Sequence, residues 1–163
     1  MNCIVVVEKS WGIGYKGDLL TYLPGDLKHF KEKTKGKTVV MGRKTLFTFP
    51  NQKPLPKRNN IILTTDNNFQ CKGATIYYSI EELMNELKEY SQDDIFVIGG
   101  ESVYKQMLKY CDTAYVTKIH QFFRADTFFP NLDKAKEWKL IEESEEQQYR
   151  DIKYTFCEYT RNK

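Results

Sequence analysis

Three segments of this sequence place residue types that can move a proton or hold an anion at spacings where they could work together. The first is Leu23-Pro24-Gly25-Asp26-Leu27-Lys28-His29-Phe30. Proline suits the first turn of a helix, so Asp26 falls in that turn, one turn before Phe30 and on the same side. An acidic residue there can simply answer the helix macrodipole. It can also be a buried carboxylate whose apolar surroundings raise its pKa while a polar heterocycle pairs with it.

The second segment is Val39-Val40-Met41-Gly42-Arg43-Lys44-Thr45, in which a strand ends at glycine and two cations and a hydroxyl open a short helix. Arginine offers phosphate a planar fork and lysine a compact charge, although adjacent surface cations are also common. The third is Ile95-Phe96-Val97-Ile98, then Gly99-Gly100, then the helical pattern Glu101-Ser102-Val103-Tyr104. A strand running through glycines into a helix leaves backbone N–H groups facing outward, where they attract phosphate. Glycine lets the main chain approach a ligand closely. The same turn also occurs as plain connectivity. Taken together, the second and third segments suit a ligand with two separated phosphates, as in a dinucleotide bearing a 2′-phosphate.

The elements that must carry these segments follow from apolar periodicity. Ile4–Val7, Thr38–Met41, Ile61–Leu63, Ile95–Ile98 and Ala114–Thr117 read as strands, several of them continuously apolar as expected when both faces are covered. A helix is expected from near Pro24 to Gly36, another after the capping box Ser79–Glu82, and a third through Val103, Met107 and Leu108. Residues 50–56 read as loop, and the glycines at 12, 14 and 17 as a mobile loop, since their spacing misses a dinucleotide fingerprint. After Trp138, two antiparallel strands at a sheet edge are expected, the acidic run Glu142–Glu146 forming a solvated strand end. Strands alternating with helices predict a largely parallel sheet, with ligands beyond the carboxyl ends of its strands.

Composition narrows the classes. A chain of 163 residues that is 40% hydrophobic and 14% aromatic predicts one globular domain over residues 1–163. A formal charge of +3 suits an anionic small ligand and is too small for a nucleic-acid footprint. The basic stretch Lys28–Lys37 is interrupted by Glu32 and reads as a solvated face. Cys3, Cys71, Cys111 and Cys157 form no metal-ligand cluster, so no metal is expected. No signal peptide or membrane-length apolar stretch is read, which predicts a reduced cytoplasmic protein without a membrane partner; a monomer without a nucleic-acid partner is expected. His29 and His120 have no partner nearby in sequence and read as surface or core-edge residues. No Gly-x-Ser-x-Gly, HExxH or Walker pattern occurs, which disfavours hydrolases and NTPases.

The ordered set Gly12-Ile13-Gly14, Leu23-Pro24-Gly25-Asp26-Leu27-x-x-Phe30, Val40-Met41-Gly42-Arg43-Lys44-Thr45, Pro54-Leu55-Pro56-x-Arg58-Asn59-Asn60-Ile61-Ile62, Ile98-Gly99-Gly100-x-x-Val103-Tyr104 and Asp126-Thr127-x-Phe129-Pro130 resembles bacterial dihydrofolate reductase. The likeness runs over essentially the whole chain. It implies an α/β fold with a central eight-stranded, mostly parallel mixed sheet, flanking helices and a C-terminal antiparallel hairpin. It also implies NADPH-dependent reduction of 7,8-dihydrofolate to tetrahydrofolate, serving thymidylate, purine and amino-acid synthesis, and sensitivity to antifolate inhibitors.

By the same resemblance, Asp26 grips the pterin N3 and 2-amino group, Thr117 shares its hydrogen bond, and Leu19 completes the catalytic set. Ile4, Val5, Leu27, Phe30, Phe49, Leu55 and Ile98 wall the substrate, and Arg58 holds the glutamate α-carboxylate with a bidentate fork. Arg43, Lys44 and Thr64 surround the 2′-phosphate. Thr45, Gly99, Gly100, Glu101, Ser102, Val103 and Tyr104 cover the pyrophosphate and nicotinamide. Val6, Ile13, Gly14, Gly42, Leu63 and Thr65 complete the cofactor set. The resemblance implies a cis Gly99–Gly100 bond and a Gly12–Leu23 loop that closes over the nicotinamide.

Two segments depart from the family pattern. Leu20-Thr21 stands where Pro-Trp is frequent, which puts the water arrangement near the carboxylate in question. Glu101 replaces a frequent third glycine and is expected to point away from the pyrophosphate. The alternatives are a pyrimidine reductase of riboflavin synthesis, which lacks the Leu-Pro-x-Asp and Pro-Leu-Pro-x-Arg segments, and a non-catalytic NADP(H)-binding module.

Overall fold

The continuous apolar runs become the middle of one sheet. A computed structural model describes residues 1–162. Its first half holds β1 (Asn2–Val7), β2 (Gly12–Tyr15), β3 (Asp18–Leu19), α1 (Pro24–Thr34), β4 (Thr38–Gly42), α2 (Arg43–Leu46), β5 (Asn59–Leu63) and β6 (Ala74–Tyr77). Then come α3 (Ile80–Leu87), β7 (Ile95–Gly99), α4 (Glu101–Met107), β8 (Thr113–Ile119) and β9 (Thr127–Phe128). The chain ends in β10 (Trp138–Glu143), β11 (Gln147–Tyr149) and β12 (Ile152–Arg161).

The central sheet runs β10-β12-β8-β1-β7-β4-β5-β6, with β11 paired to the start of β12. The six strands from β8 to β6 are parallel, and β12 opposes both β8 and β10. The eight-stranded mixed sheet expected from the sequence is therefore present, and its antiparallel edge gains a third short segment, β11. Alternation sorts the core onto two faces. Val39 and Met41 of β4 pack in one cluster with Ile62, Phe96 and Ile98, while Val40 packs in the other with Ile61, Val97, Leu83 and Met107. Helix α3 starts as the capping box predicts, with Ser79 Oγ accepting from Glu82 N–H at 3.2 Å.

Two elements depart from the sequence reading. Strand β6 is short and half-buried, and its pairing with the end of β5 makes it a strand more than its own pattern does. Residues 12–15, read as a mobile loop, are a strand instead, in a second sheet of order β3-β2-β9. The partner lies far along the chain: Asp126 N–H donates to Gly14 O at 2.9 Å. No local pattern announces such a pairing. All four cysteines are free thiols, with Cys3, Cys111 and Cys157 buried. Among the described residues no helix is long and apolar enough to cross a membrane, and no group of His, Cys, Asp or Glu is arranged to hold a metal.

Candidate active site

Helix α1 lies across β8 and β12, and three side-chain contacts hold it there. Asp26 Oδ1 accepts a hydrogen bond from the Thr117 hydroxyl at 2.6 Å. His29 stacks on Phe156 with ring centroids 4.2 Å apart. Gly25 lies against the Tyr154 hydroxyl so closely that any side chain at position 25 would collide with it. Thr117 is only 2% exposed and pairs with Val6 on one side and Phe156 on the other. Both histidines thus have structural roles, since His120 Nε2 lies 3.2 Å from Thr155 Oγ1.

Burial disfavours the charged form of Asp26 and raises its pKa to about 6, against the opposing pull of the Thr117 hydrogen bond. Desolvation wins because one neutral donor replaces little of the water that a free carboxylate would bind. Among the described residues, no donor hydrogen-bonds the second carboxylate oxygen.

The apolar residues expected to wall the substrate are only partly brought together. Ile4, Ile98, Phe30, Phe49 and Leu55 pack in a single cluster, while Leu27 is half exposed on α1. Val5 is set apart from them, on the opposite face of β1, in the core with Val103 and Tyr104. Arg58 is anchored at both ends of its head: Nε donates to Thr34 Oγ1 at 3.2 Å and Nη1 to Pro56 O at 2.9 Å. Its guanidinium lies over the Phe30 ring, and burial lowers its pKa. Leu55 and Arg58 also line an open cleft of about 620 Å³, whose walls do not include Asp26. Leu19 is 64% exposed on β3, opposite Gly14.

On the other side of β1, the carboxyl ends of β7, β4 and β5 come together in parallel register. Met41 pairs with Gly99, and Gly42 with Leu63. The Gly99–Gly100 peptide is cis, and a Cβ built on either glycine would stand 3.4 Å from Thr45 Oγ1. The Tyr104 hydroxyl donates to Ile4 O at 2.6 Å, tying α4 to β1. Arg43 Nη1 meets Asp66 Oδ2 at 2.8 Å, and among the described residues Lys44 has no ion-pair partner. Asp66 N–H in turn donates to Thr64 Oγ1 at 3.1 Å. Thr65 is exposed beside it, Ser102 is exposed on α4, and Ile13 packs against the core. Val6 faces the cluster of Leu23, Ile119 and Tyr154. Glu101 is held by Phe128 N–H and Lys105.

Asp66 and Tyr154 carry no signal of a site role in the sequence. Asp66 becomes visible only when β5 is laid beside β4, and Tyr154 only when α1 is docked on β12.

A family described as dihydrofolate reductase matches residues 1–161. This chain belongs to the dihydrofolate reductase family. The dihydrofolate reductase of Bacillus subtilis is 37% identical over 163 residues, covering 98% of this chain and 93% of the relative. That of Staphylococcus aureus is 35% identical over 165 residues, covering 100% of this chain and 99% of the relative. Among solved structures, the Enterococcus faecalis dihydrofolate reductase complexed with NADP(H) and RAB-propyl superposes with a TM-score of 0.88 at 34% identity. That match covers 99% of this chain and 96% of the other.

Proposed function

We propose that this protein reduces 7,8-dihydrofolate to tetrahydrofolate with NADPH, using Asp26 as its acidic group. The observation that carries the reading is the half-buried Asp26 carboxylate, bonded to Thr117 and raised to about 6, with no hydrogen bond to its second oxygen among the described residues. A carboxylate in this state binds the paired N3 and 2-amino donors of a pterin and favours the form protonated at N5. The hydroxyl of Thr117 fixes which oxygen is spent inside the protein. Ile4, Phe30, Phe49, Leu55 and Ile98 supply the apolar contact for the rings, and the pre-set head of Arg58 receives the tail carboxylate.

The residues on the cofactor side suit a dinucleotide with two phosphate groups. Two glycines close against Thr45 leave main chain bare beside the end of β4, where Arg43 and Lys44 add positive charge. These groups would hold the pyrophosphate and the 2′-phosphate, with Thr64, Thr65 and Leu63 flanking and Gly99 to Tyr104 lining the nicotinamide end. Bound NADPH supplies the hydride. The β2–β3 hairpin, which carries Ile13, Gly14 and Leu19, would cover the nicotinamide and exclude water. Antifolate inhibitors compete for the pterin site, and the chain acts on small molecules as a cytoplasmic monomer.

Loss of NADPH absorbance on adding dihydrofolate tests the reading directly. Consumption with a ribosylaminopyrimidine in place of dihydrofolate would overturn it in favour of a riboflavin-pathway reductase. NADPH binding without turnover of either substrate would reduce it to a cofactor-binding module.

A further inference from the structure

The head of α4 is joined to the small second sheet by one side chain. Glu101 Oε2 accepts a hydrogen bond from the backbone N–H of Phe128 at 2.5 Å, and Oε1 lies 3.5 Å from Lys105 Nζ one turn along. Three residues on, the Tyr104 ring meets Phe129 edge-on with centroids 4.9 Å apart. One face of α4 therefore carries a polar and an apolar contact to the same short segment. That segment is in turn locked to the hairpin. A side chain at Gly12 would collide with Ala125 Cβ, and a Cβ at Gly14 would stand 2.9 Å from Thr127 Oγ1. Asp126 completes the join, since its carboxylate accepts from Lys16 N–H at 3.0 Å. With so little space between them, residues 125–128 cannot shift without carrying the hairpin along.

We propose that Glu101 is a positioning residue: its carboxylate braces β9 against α4 and thereby holds the β2–β3 hairpin, which pairs with β9, in place relative to α4. A charged acceptor makes a stronger hydrogen bond to an amide than a neutral one. Lys105 and Phe128 between them hold both carboxylate oxygens, so the side chain is kept on the sheet side of α4. The consequence for cofactor residence rests on the assignment of Gly99 to Tyr104 to NADPH, whereas the bracing itself does not.

Amide hydrogen exchange on the ligand-free chain separates the two. Lys16 is the informative amide, because it bonds Asp126 and has no hydrogen bond to Glu101. In Glu101→Ala its exchange should quicken about tenfold, the scale of one lost charge-assisted hydrogen bond transmitted through the hairpin. In Glu101→Gln, which keeps an acceptor oxygen, the rise should be smaller. NADPH dissociation, followed by stopped flow, should quicken in Glu101→Ala and less in Glu101→Gln. Unchanged Lys16 exchange in Glu101→Ala overturns the proposal, and so does a rise shared equally by core amides such as Val97. Faster Lys16 exchange with unaltered NADPH release supports the brace and counts against the cofactor assignment.

Discussion

Asp26 carries opposed demands. Its pKa of about 6 means that the folded protein binds this proton more tightly than the unfolded chain does. Between roughly pH 4 and pH 6 stability therefore falls as pH rises, and above that window folding bears a cost of up to about 3 kcal/mol. Asp26→Asn should remove the cost: the variant should be more stable than the parent at neutral pH by about 1–3 kcal/mol and show no gain near pH 4. Urea melts at the two pH values check this. The same change should slow hydride transfer at neutral pH by about a hundredfold or more, the usual worth of a positioned acid–base group. NADPH affinity should hold, and the deficit should shrink as pH falls and solvent supplies the N5 proton. Near-parental single-turnover rates at neutral pH would show that Asp26 is not the working carboxylate. Arg58 makes a plainer case, since it would grip a part of the substrate far from the reaction. Arg58→Leu should raise KM for dihydrofolate much more than for a pterin lacking the glutamate tail, with kcat little changed. An equal penalty on both substrates would mean that the residue serves only to tie α1 to the loop through Thr34 and Pro56.

Helix α1 depends on close approach for its function. Its mean position is set by Gly25 on Tyr154, Asp26 on Thr117 and His29 on Phe156, one turn of helix against two neighbouring strands. Alanine is a better helix former than glycine by about 1 kcal/mol. At position 25, however, its methyl would collide with the Tyr154 hydroxyl, and overpacking of this kind costs about 1–3 kcal/mol. Gly25→Ala should therefore lower or barely change stability, and it should reduce hydride transfer by lengthening the Asp26–Thr117 bond. Adding Tyr154→Phe, which removes the obstructing oxygen, should restore both. The double-mutant cycle should show coupling of about 1 kcal/mol or more, as expected of residues in contact. Additive effects would mean that the helix is seated by its other contacts alone.

At the scale of the molecule, the parallel strands place their carboxyl ends side by side, so groups distant in sequence can meet one extended ligand. Arg43 at the end of β4 lies one strand from the glycine turn at the end of β7. If the two hold the separate phosphates of one dinucleotide, Arg43→Ala should weaken NADPH far more than NADH. The loss for NADPH should be about 1.5–3 kcal/mol, the scale of a charge-assisted hydrogen bond. Asp66 already occupies part of the guanidinium, which places the expected value toward the lower end. Titrations that weaken NADPH and NADH alike would remove Arg43 from 2′-phosphate recognition.

Much of this organisation was legible in the sequence. The middle strands announced themselves because a strand covered on both faces must be apolar throughout. Helix α3 did so because capping and amphipathic spacing are local rules. Asp26, Arg43 and the Gly99–Gly100 turn were visible as residue types at element ends. Other features depended on which elements become neighbours. Thr117 entered by resemblance and not by spacing, since 91 residues separate it from Asp26. Residues 12–15 look like a loop in sequence because their strand is made by pairing with Thr127–Phe128, and glycine carries no strand signal of its own. Asp66 on Arg43, Tyr154 under Gly25 and Phe128 on Glu101 likewise needed strand order and register to be known. Local sequence determines burial pattern and backbone angles, whereas the pairing of polar groups across the fold is decided only by the tertiary structure that brings them within a hydrogen bond's reach.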